Sequence, residues 1–506
     1  MPDPIAALTL CADVCVIGGG PAGATLARRL AQLGHSVVVA EKHSFPRPHI
    51  GESLIGGILP LLDVLGVRNE IESAGFLRPR SALVRWAGAV ERRASPGEPG
   101  FQVDRGRFDE LLLKAAAEAG AHVLQPARAG SIRRRGDGDW LSTIRLEKAE
   151  VTLKSRFMAD ATGRQGLLGG SKRRVSERTL ALYAYWKHAS VDGSDTRVDA
   201  GDDAWYWGAP LPGGEFNATV FIDSPYYREA VSRAGSRDAC YESLIARSEL
   251  LAGCLRGVRM GPVRACDATQ RCDEMPATSD AIKVGEAAFS IDPLSSQGVQ
   301  TAIGSALHAA AVIHTILERP DDKELALDFY RTRQRESVEL HRIAAGRFYA
   351  EAALSRRGDF WSRRAIDRSS EAIDALPSEQ ETPQPKQPEG SGRPALSAHL
   401  EIELAPEVRF ETIPTLQHDF IAPATAIVLP GVRRPIVFLD EIAVGPLAAM
   451  IQNSVTVERL LDRWSQRMTR DRAIQVLSWL WEAGVLRPRA SEKNLLALSV
   501  PSPPTN

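Results

Sequence analysis

Three glycines, Gly18, Gly20 and Gly23, follow the pattern GxGxxG inside "DVCVIGGGPAGATLARRLAQLGHSVVVAEK". This spacing is suited to phosphate. The first glycine permits a tight turn and the second lets a pyrophosphate reach the backbone, in a turn that includes Ala22. The third lets a helix pack closely on a strand, and that helix's N-terminus favours negative charge. Glu41 ends the next strand, followed by Lys42; an acid there accepts ribose hydroxyls. A second run, "VGEAAFSIDPLSSQGVQTAIGSALHAA", sets Gly285 and Glu286, then Asp292 and Pro293, then Gln297, Gly298 and Val299 ahead of an Ala-rich helix. A stiff Pro and a bare Gly before a helix imply that something approaches the backbone closely. Glu52 and Lys187 are candidate acid-base groups. Tyr183, Tyr185, Trp186, Trp205, Tyr206 and Trp207 each suit a core, and as a set they suit a pocket wall, with Tyr185, Trp205 and Trp207 the substrate candidates. The six cysteines (Cys11, Cys15, Cys240, Cys254, Cys266, Cys272) form no CxxC, so packing thiols and no metal site are expected.

Around these residues the 506-residue chain predicts several domains. The first glycine motif lies in a strand, turn, helix, strand pattern. "FDELLLKAAAEAGAHVL" predicts a second helix leading to a strand, and "VTLKSRFMADATGRQG" a strand that reaches Asp160 and enters a Gly loop. The expected fold class is α/β. A Rossmann-like nucleotide domain takes residues 10–180 and 265–340, with substrate-domain strands near 80–100. A β-rich substrate domain takes 181–264, and Leu325 to Ala375 is predicted helical, with 341–376 as a helical extension. A Pro- and Gln-rich linker covers 377–397. Residues 398–500 then read as a winged-helix-like α+β domain: strand, three helices and a closing hairpin. There Thr456 and Thr469 are N-caps, Gly484 is a stop, and Ile474, Leu477 and Trp481 share one face. From Ala398 to Asn506 there are 11 Lys/Arg against 12 Asp/Glu, and the whole chain carries a net charge of -1. A DNA reader needs a basic face, so no nucleic acid partner is expected. No uninterrupted apolar segment suits a bilayer span and the N-terminus lacks a basic leader region, so a cytoplasmic protein without a membrane partner is expected.

The stretches "FQVDRGRFDELLLKAAAEAGAHV" and "MADATGRQG" resemble the middle motifs of FAD-dependent monooxygenases and halogenases, and "VGEAAFSIDPLSSQG" resembles their second flavin motif. The resemblance implies FAD as cofactor, with Arg105 against the flavin. It also implies Pro293 and Gly298 flush with the isoalloxazine ring, and helix N-terminal amides that favour a reduced, anionic flavin. Glu286 stands where Asp is common. "FPRPHIGESLIGGILPLLDVLGV", which holds Arg47, Glu52 and Ser53, and "AWYWGAPLPGG" are similar to the halogenase branch.

Two departures redirect the chemistry. The halogenase Lys position falls on Pro79, between Arg78 and Arg80, and a guanidinium does not readily form a chloramine. The Glu of the tryptophan halogenases falls on Ser295. Without both, the resemblance implies hydroxylation through a flavin hydroperoxide, with Pro293, Gln297, Gly298 and Glu52 nearest the chemistry. "DATGRQG" lacks the Asp-Gly dipeptide of single-component hydroxylases, so O2 would be used after reduction by NADH or NADPH directly, or through a separate flavin reductase. The C-terminal domain is similar in outline to peptide-binding modules of peptide-maturation enzymes. The whole therefore resembles the flavoprotein maturases that hydroxylate a Trp, or less well a Tyr, of another protein to build a quinone cofactor. A small subunit of a quinone-containing dehydrogenase, as in quinohaemoprotein amine dehydrogenase, is the implied partner. The alternatives are a small-molecule aromatic monooxygenase or halogenase-like enzyme, an FAD-linked alkene or prenyl reductase, and a flavin-binding regulator.

Overall fold

In the computed structural model the described residues are 8–136, 138–191, 194–366, 395–430, 432 and 434–489. The chain divides into two compact units, Met1–Leu376 with Leu416–Ile421, and Pro377–Thr415 with Ala422–Asn506.

The first unit is built on a seven-stranded sheet. Strand β1 (Leu8–Ile17) carries Val14, Cys15, Val16 and Ile17 into the core, then turns at Gly18 into helix α1 (Pro21–Gln32). Strand β2 (Val37–Ala40) pairs parallel with β1 and with His122–Leu124, which follows helix α2 (Arg105–Glu118). On the other side β1 pairs parallel with β3 (Glu150–Asp160), whose end pairs parallel with Ala281–Lys283. The β2 residues are Val-Val-Val-Ala and all four are buried, as a strand covered on both faces requires. Helix α3 (Gly298–Glu318) packs on α1 through an alanine-rich face, which lets the two backbones approach closely. It is the one described helix long and apolar enough to cross a membrane, against the sequence expectation, but 83% of its apolar window is buried within the protein.

A second, eight-stranded sheet faces the nucleotide layer's loops. It joins β4 (Thr179–Lys187), β5 (Ala204–Pro210) and β6 (Phe216–Asp223) to strands from further along the chain and to Ser81–Arg85 and Glu91–Ala94. In β4, β5 and β6 alternate residues divide cleanly. Leu182, Ala184, Trp186, Ala204, Tyr206, Phe216, Ala218, Val220 and Ile222 form a core on the back of the sheet. There they meet helices Ser224–Ala234 and Arg237–Ile245, which lie inside the segment read as β-rich. Ala181, Trp205 and Phe221 face the front. The expected helical stretch from Leu325 is helix α4 (Lys323–Ala353), which ends at Leu354, and a short helix, Asp359–Ser362, follows with Gly358 at its N-cap. A boundary at residue 341 therefore falls inside α4. The predicted linker, 377–397, lies almost wholly outside the described residues.

In the second unit Glu401–Leu404 is the middle of a three-stranded sheet, flanked by Val455–Thr456 and Leu486–Pro488. Helices Val444–Ala449, Val457–Trp464 and Arg470–Glu482 complete a winged-helix-like core. The Thr456 and Thr469 hydroxyls accept from Arg459 N and Arg472 N as caps, and Gly484 takes φ 77° at the stop. Two expectations fail. The hairpin precedes the helices, as Arg409–Gln417 and Phe420–Val428, with its Leu416–Ile421 end counted in the first unit, while Leu486–Pro488 pairs back onto Glu401–Leu404. Ile474 is 43% exposed; the buried face is Ala473, Val476, Leu477, Leu480 and Trp481, because Ile474 lies about 100° round the helix from Ala473.

Candidate active site

A cavity of about 680 Å³ runs from the first glycine turn to the front of the second sheet. Gly18, Gly20, Ala22, Glu41, Lys42, Arg47, Ser53, Arg105, Glu286, Pro293, Gly298 and Val299 line it, with Glu52, Trp205 and Trp207. The sequence expectations for these fifteen residues thus converge in one space.

At the nucleotide end, Gly18 sits at φ 106°, and a Cβ there would lie 2.4 Å from Ala161 O. Gly23 is a packing glycine outside the cavity lining: its Cβ would lie 1.9 Å from Gly18 O, so α1 rests directly on the turn. The Glu41 carboxylate accepts from Gly19 N at 2.7 Å and His43 N at 2.9 Å, which fixes it at the cavity wall. The arginines are held by a residue the sequence reading missed. Asp109, fully buried, accepts from Arg105 Nε at 3.0 Å and meets Arg47 Nη2 at 3.2 Å. The signal was present as the i,i+4 spacing of Arg105 and Asp109 on α2. Arg105 Nη1 also donates to Ile50 O and Gly51 O, while Arg47 Nη1 is buried with no protein partner. An orphan guanidinium nitrogen beside a glycine turn and a helix N-terminus fits a pyrophosphate.

Several predicted contacts act from behind the wall. Asp160 does not reach the cavity: it accepts from Thr162 N and Oγ1 and from Leu167 N and Leu168 N, so it shapes the loop 161–168. That loop delivers Arg164, another missed residue, which pairs with Glu286 at 3.0 Å. Gly285 is at φ 57°, donates to Ser305 Oγ, and would set a Cβ 2.9 Å from Ala22 Cβ. Asp292 caps Leu294 N and accepts from Tyr349 Oη at 3.0 Å and Gln270 Nε2 at 3.3 Å; full burial pushes its pKa up. Gln297 is the N-cap position of α3 and is also outside the lining. Lys187 pairs with Glu215 at 3.5 Å, half-exposed and outside the cavity lining.

At the aromatic end, Trp205 stacks on Phe221 with centroids 3.8 Å apart and 8° between planes. Tyr206 and Trp186 point to the back core, as the strand alternation demands. Tyr185 is not in the lining; its hydroxyl donates to Glu52 Oε1 at 2.7 Å, and Tyr183 meets it edge-on. Arg78, beside Pro79, is drawn into an ion cluster with Glu72 and Glu98. Ser295 donates to Asp292 O. All six cysteines are free, and Cys266 lines the cavity.

A Rossmann-like α/β layer whose glycine turn opens on a cavity closed by a second, largely antiparallel sheet defines an FAD-dependent oxidoreductase. The tryptophan halogenase family profile matches residues 80–378, and an FAD-dependent oxidoreductase profile matches residues 13–52. The chain therefore belongs to the tryptophan halogenase family of flavin-dependent enzymes. It is 31% identical over 336 residues to tryptophan 2-halogenase of Chondromyces crocatus, a match that spans 63% of this chain and 64% of that protein. Among solved structures, the flavin-dependent halogenase CmlS superposes with a TM-score of 0.73 at 22% identity over 95% of this chain and 96% of its own. The peptidyl tryptophan dihydroxylase QhpG, essential for tryptophylquinone cofactor biogenesis, superposes with a TM-score of 0.66 at 24% identity over 94% and 99%.

Proposed function

We propose that this chain is an FAD-dependent monooxygenase that hydroxylates an aromatic side chain, Trp in preference to Tyr, of a protein or peptide during quinone cofactor biogenesis. FAD, once reduced, would activate dioxygen for insertion of one oxygen atom into a ring. Arg47 and the Gly18–Gly20 turn would hold the pyrophosphate, and Glu41 the ribose. Pro293 and Gly298 would border the flavin ring, where amides of the α3 N-terminus favour negative charge.

The observation that carries this reading is the cavity's aromatic end. Lys42 is the only lysine among the described residues lining the cavity, and it sits beside Glu41 at the nucleotide end. A halogenating enzyme of this family needs an amine near its substrate, and here Pro79 occupies that sequence position. The fold match to QhpG supports a peptidyl tryptophan substrate. The proposed partner is the small subunit of a quinone-containing dehydrogenase, with NADH, NADPH or a separate flavin reductase as reductant. The 31% identity to a tryptophan halogenase favours the second reading, halogenation.

One experiment separates them. The full chain is incubated with FAD, NADH, a flavin reductase, oxygen and bromide, together with tryptophan-containing peptides and free tryptophan. Peptide mass spectrometry should show additions of about 16 or 32 Da on tryptophan, as expected for one or two oxygen atoms from flavin chemistry. Bromination would establish halogenation instead, and oxidation of free tryptophan alone would establish a small-molecule monooxygenase.

A further inference from the structure

We infer that Glu52 is the catalytic base that takes the ring proton during oxygen insertion, with Tyr185 and Asn217 as its positioning residues; this rests on the hydroxylase reading above. Glu52 is 2% exposed and lines the cavity. Its Oε1 accepts from Tyr185 Oη at 2.7 Å and Asn217 Nδ2 at 3.1 Å, and its Oε2 from Gly51 N at 2.8 Å. Three donors converge on a group that can only accept while ionised, which fixes both oxygens in place.

The sheet register locates this carboxylate relative to the aromatic wall. On the front face Tyr185 pairs with Asn217, Tyr183 with Thr219 and Ala181 with Phe221. Trp207 pairs with Thr219 and Trp205 with Phe221. Successive front-face rows are two residues apart, about 6.8 Å at strand spacing. Glu52 thus stands on the first row, Thr219 and Trp207 on the second, and the stacked Trp205 and Phe221 on the third. A flat ring lying over the second row has the carboxylate at one edge and the aromatic pair at the other. Thr219 Oγ1 donates to Asn217 Oδ1 at 2.9 Å, so a polar string runs from the second row back to Glu52.

Oxygen insertion needs such a base. The ring carbon forms a C–O bond as the O–O bond of the oxidant breaks, and that carbon becomes tetrahedral. Aromaticity returns when its C–H bond breaks, leaving the electron pair in the ring and the proton on Glu52. In sum, ring C–H, dioxygen and reduced flavin give ring C–OH, water and oxidised flavin. The neighbouring phenols and thiol do not compete for this task. Burial pushes up the pKa values of Tyr185, Tyr183 and Cys266; the charge of Glu52 is the next cause in Tyr185 and a minor one in the other two, while Arg264 opposes the shift in both tyrosines and Arg164 opposes it in Cys266. His49 also lines the cavity, with Nδ1 at 2.7 Å from Ile50 O, and is the rival base that the variants below separate from Glu52.

The test uses wild-type holoenzyme and the Glu52→Gln, Glu52→Asp, Tyr185→Phe and His49→Gln variants, with a tryptophan-containing peptide and free tryptophan as probes, each with and without ring deuteration. FAD affinity is read from flavin fluorescence. Glu52→Gln should bind FAD normally, keep KM, and lose about 100-fold in kcat, the scale of a general base. Ring deuteration should slow this variant and leave the wild type unchanged, because loss of the ring proton has become the slow step. Glu52→Asp should recover part of the rate, Tyr185→Phe should fall between, and His49→Gln should show no isotope effect. Loss of FAD binding by Glu52→Gln, wild-type turnover by it, or an isotope effect in His49→Gln would overturn the assignment. A wild type that oxidises neither probe would overturn the hydroxylase reading and this inference together, whereas a competent wild type beside an unimpaired Glu52→Gln would overturn this inference alone.

Discussion

Asp109 anchors two guanidinium groups at the cavity wall with a side chain that is itself fully buried. Asp109→Asn should leave Arg105 and Arg47 with an uncompensated buried charge and cost about 3–5 kcal/mol, measurable as a lowered thermal midpoint, together with weaker FAD binding in a fluorescence titration. His341 on α4 gives a pH prediction of definite sign. Burial pushes its pKa down to about 4 from 6.5. Between those values the unfolded chain binds a proton that the folded chain does not, so stability should fall as pH falls from about 6.5 to 4. His341→Gln should flatten that part of the profile in urea titrations at stepped pH. At this scale the sequence was readable wherever a residue's role follows from its near neighbours. Gly18, Gly20 and Glu41 have such roles, set by one turn and the strand after it. It was misleading for Asp160 and Asp292. Both stand in flavin motifs, yet both carboxylates turn away from the cavity to satisfy backbone amides of the loops that follow. An amide two or more residues further on competes for a carboxylate, and only the folded loop decides which partner wins.

Among the elements, the glycine turns set the tolerances. Gly23→Ala would drive a methyl group into Gly18 O, in backbone that cannot move without α1. The expected outcome is a protein destabilised by at least about 1–3 kcal/mol, the usual scale of overpacking, with FAD binding lost before the fold. Tyr349→Phe tests the support of the second flavin loop from α4. It removes one donor from buried Asp292 and should cost about 1–3 kcal/mol, seen as a shift in denaturation midpoint, with a change in the bound flavin spectrum. The long-period elements were legible: α1, α2 and α3 each carry a helical pattern with a small-residue or capped start. The wing of the C-terminal unit was not. "RFETIPTLQ" and "FIAPATAIV" alternate weakly and contain prolines, so neither announces a nine-residue strand, and the partner of Leu486–Pro488 lies more than eighty residues earlier. Ile474 was assigned inward on spacing alone, but a helix with three buried positions per two turns has room to leave one Ile outside.

For the whole molecule, two units with separate hydrophobic cores predict two calorimetric transitions. Added FAD should raise only the transition of the first unit, by about 2.7 kcal/mol at a hundredfold excess over its Kd. Movement of both transitions together would show that the units unfold as one. The order of domains along the chain was visible in the sequence because composition changes with it. The cavity within the first unit was not, since its walls come from segments as far apart as Gly18 and Val299, and only the folded chain brings Glu52, from outside the second sheet, against Tyr185 and Asn217 in it. That sheet also bears on how such an enzyme diversifies. Trp205, Trp207, Thr219 and Phe221 face the cavity, while Ala204, Tyr206, Ala218 and Val220 hold the back core on the same strands. Substrate choice and fold maintenance are thus written on alternate letters of one text. A lineage, or an engineer, can rewrite Trp207 or Thr219 to admit a new ring and leave the intervening letters untouched, whereas Trp205 and Phe221 also share a core with Trp86 and Trp361 and carry part of the fold with them.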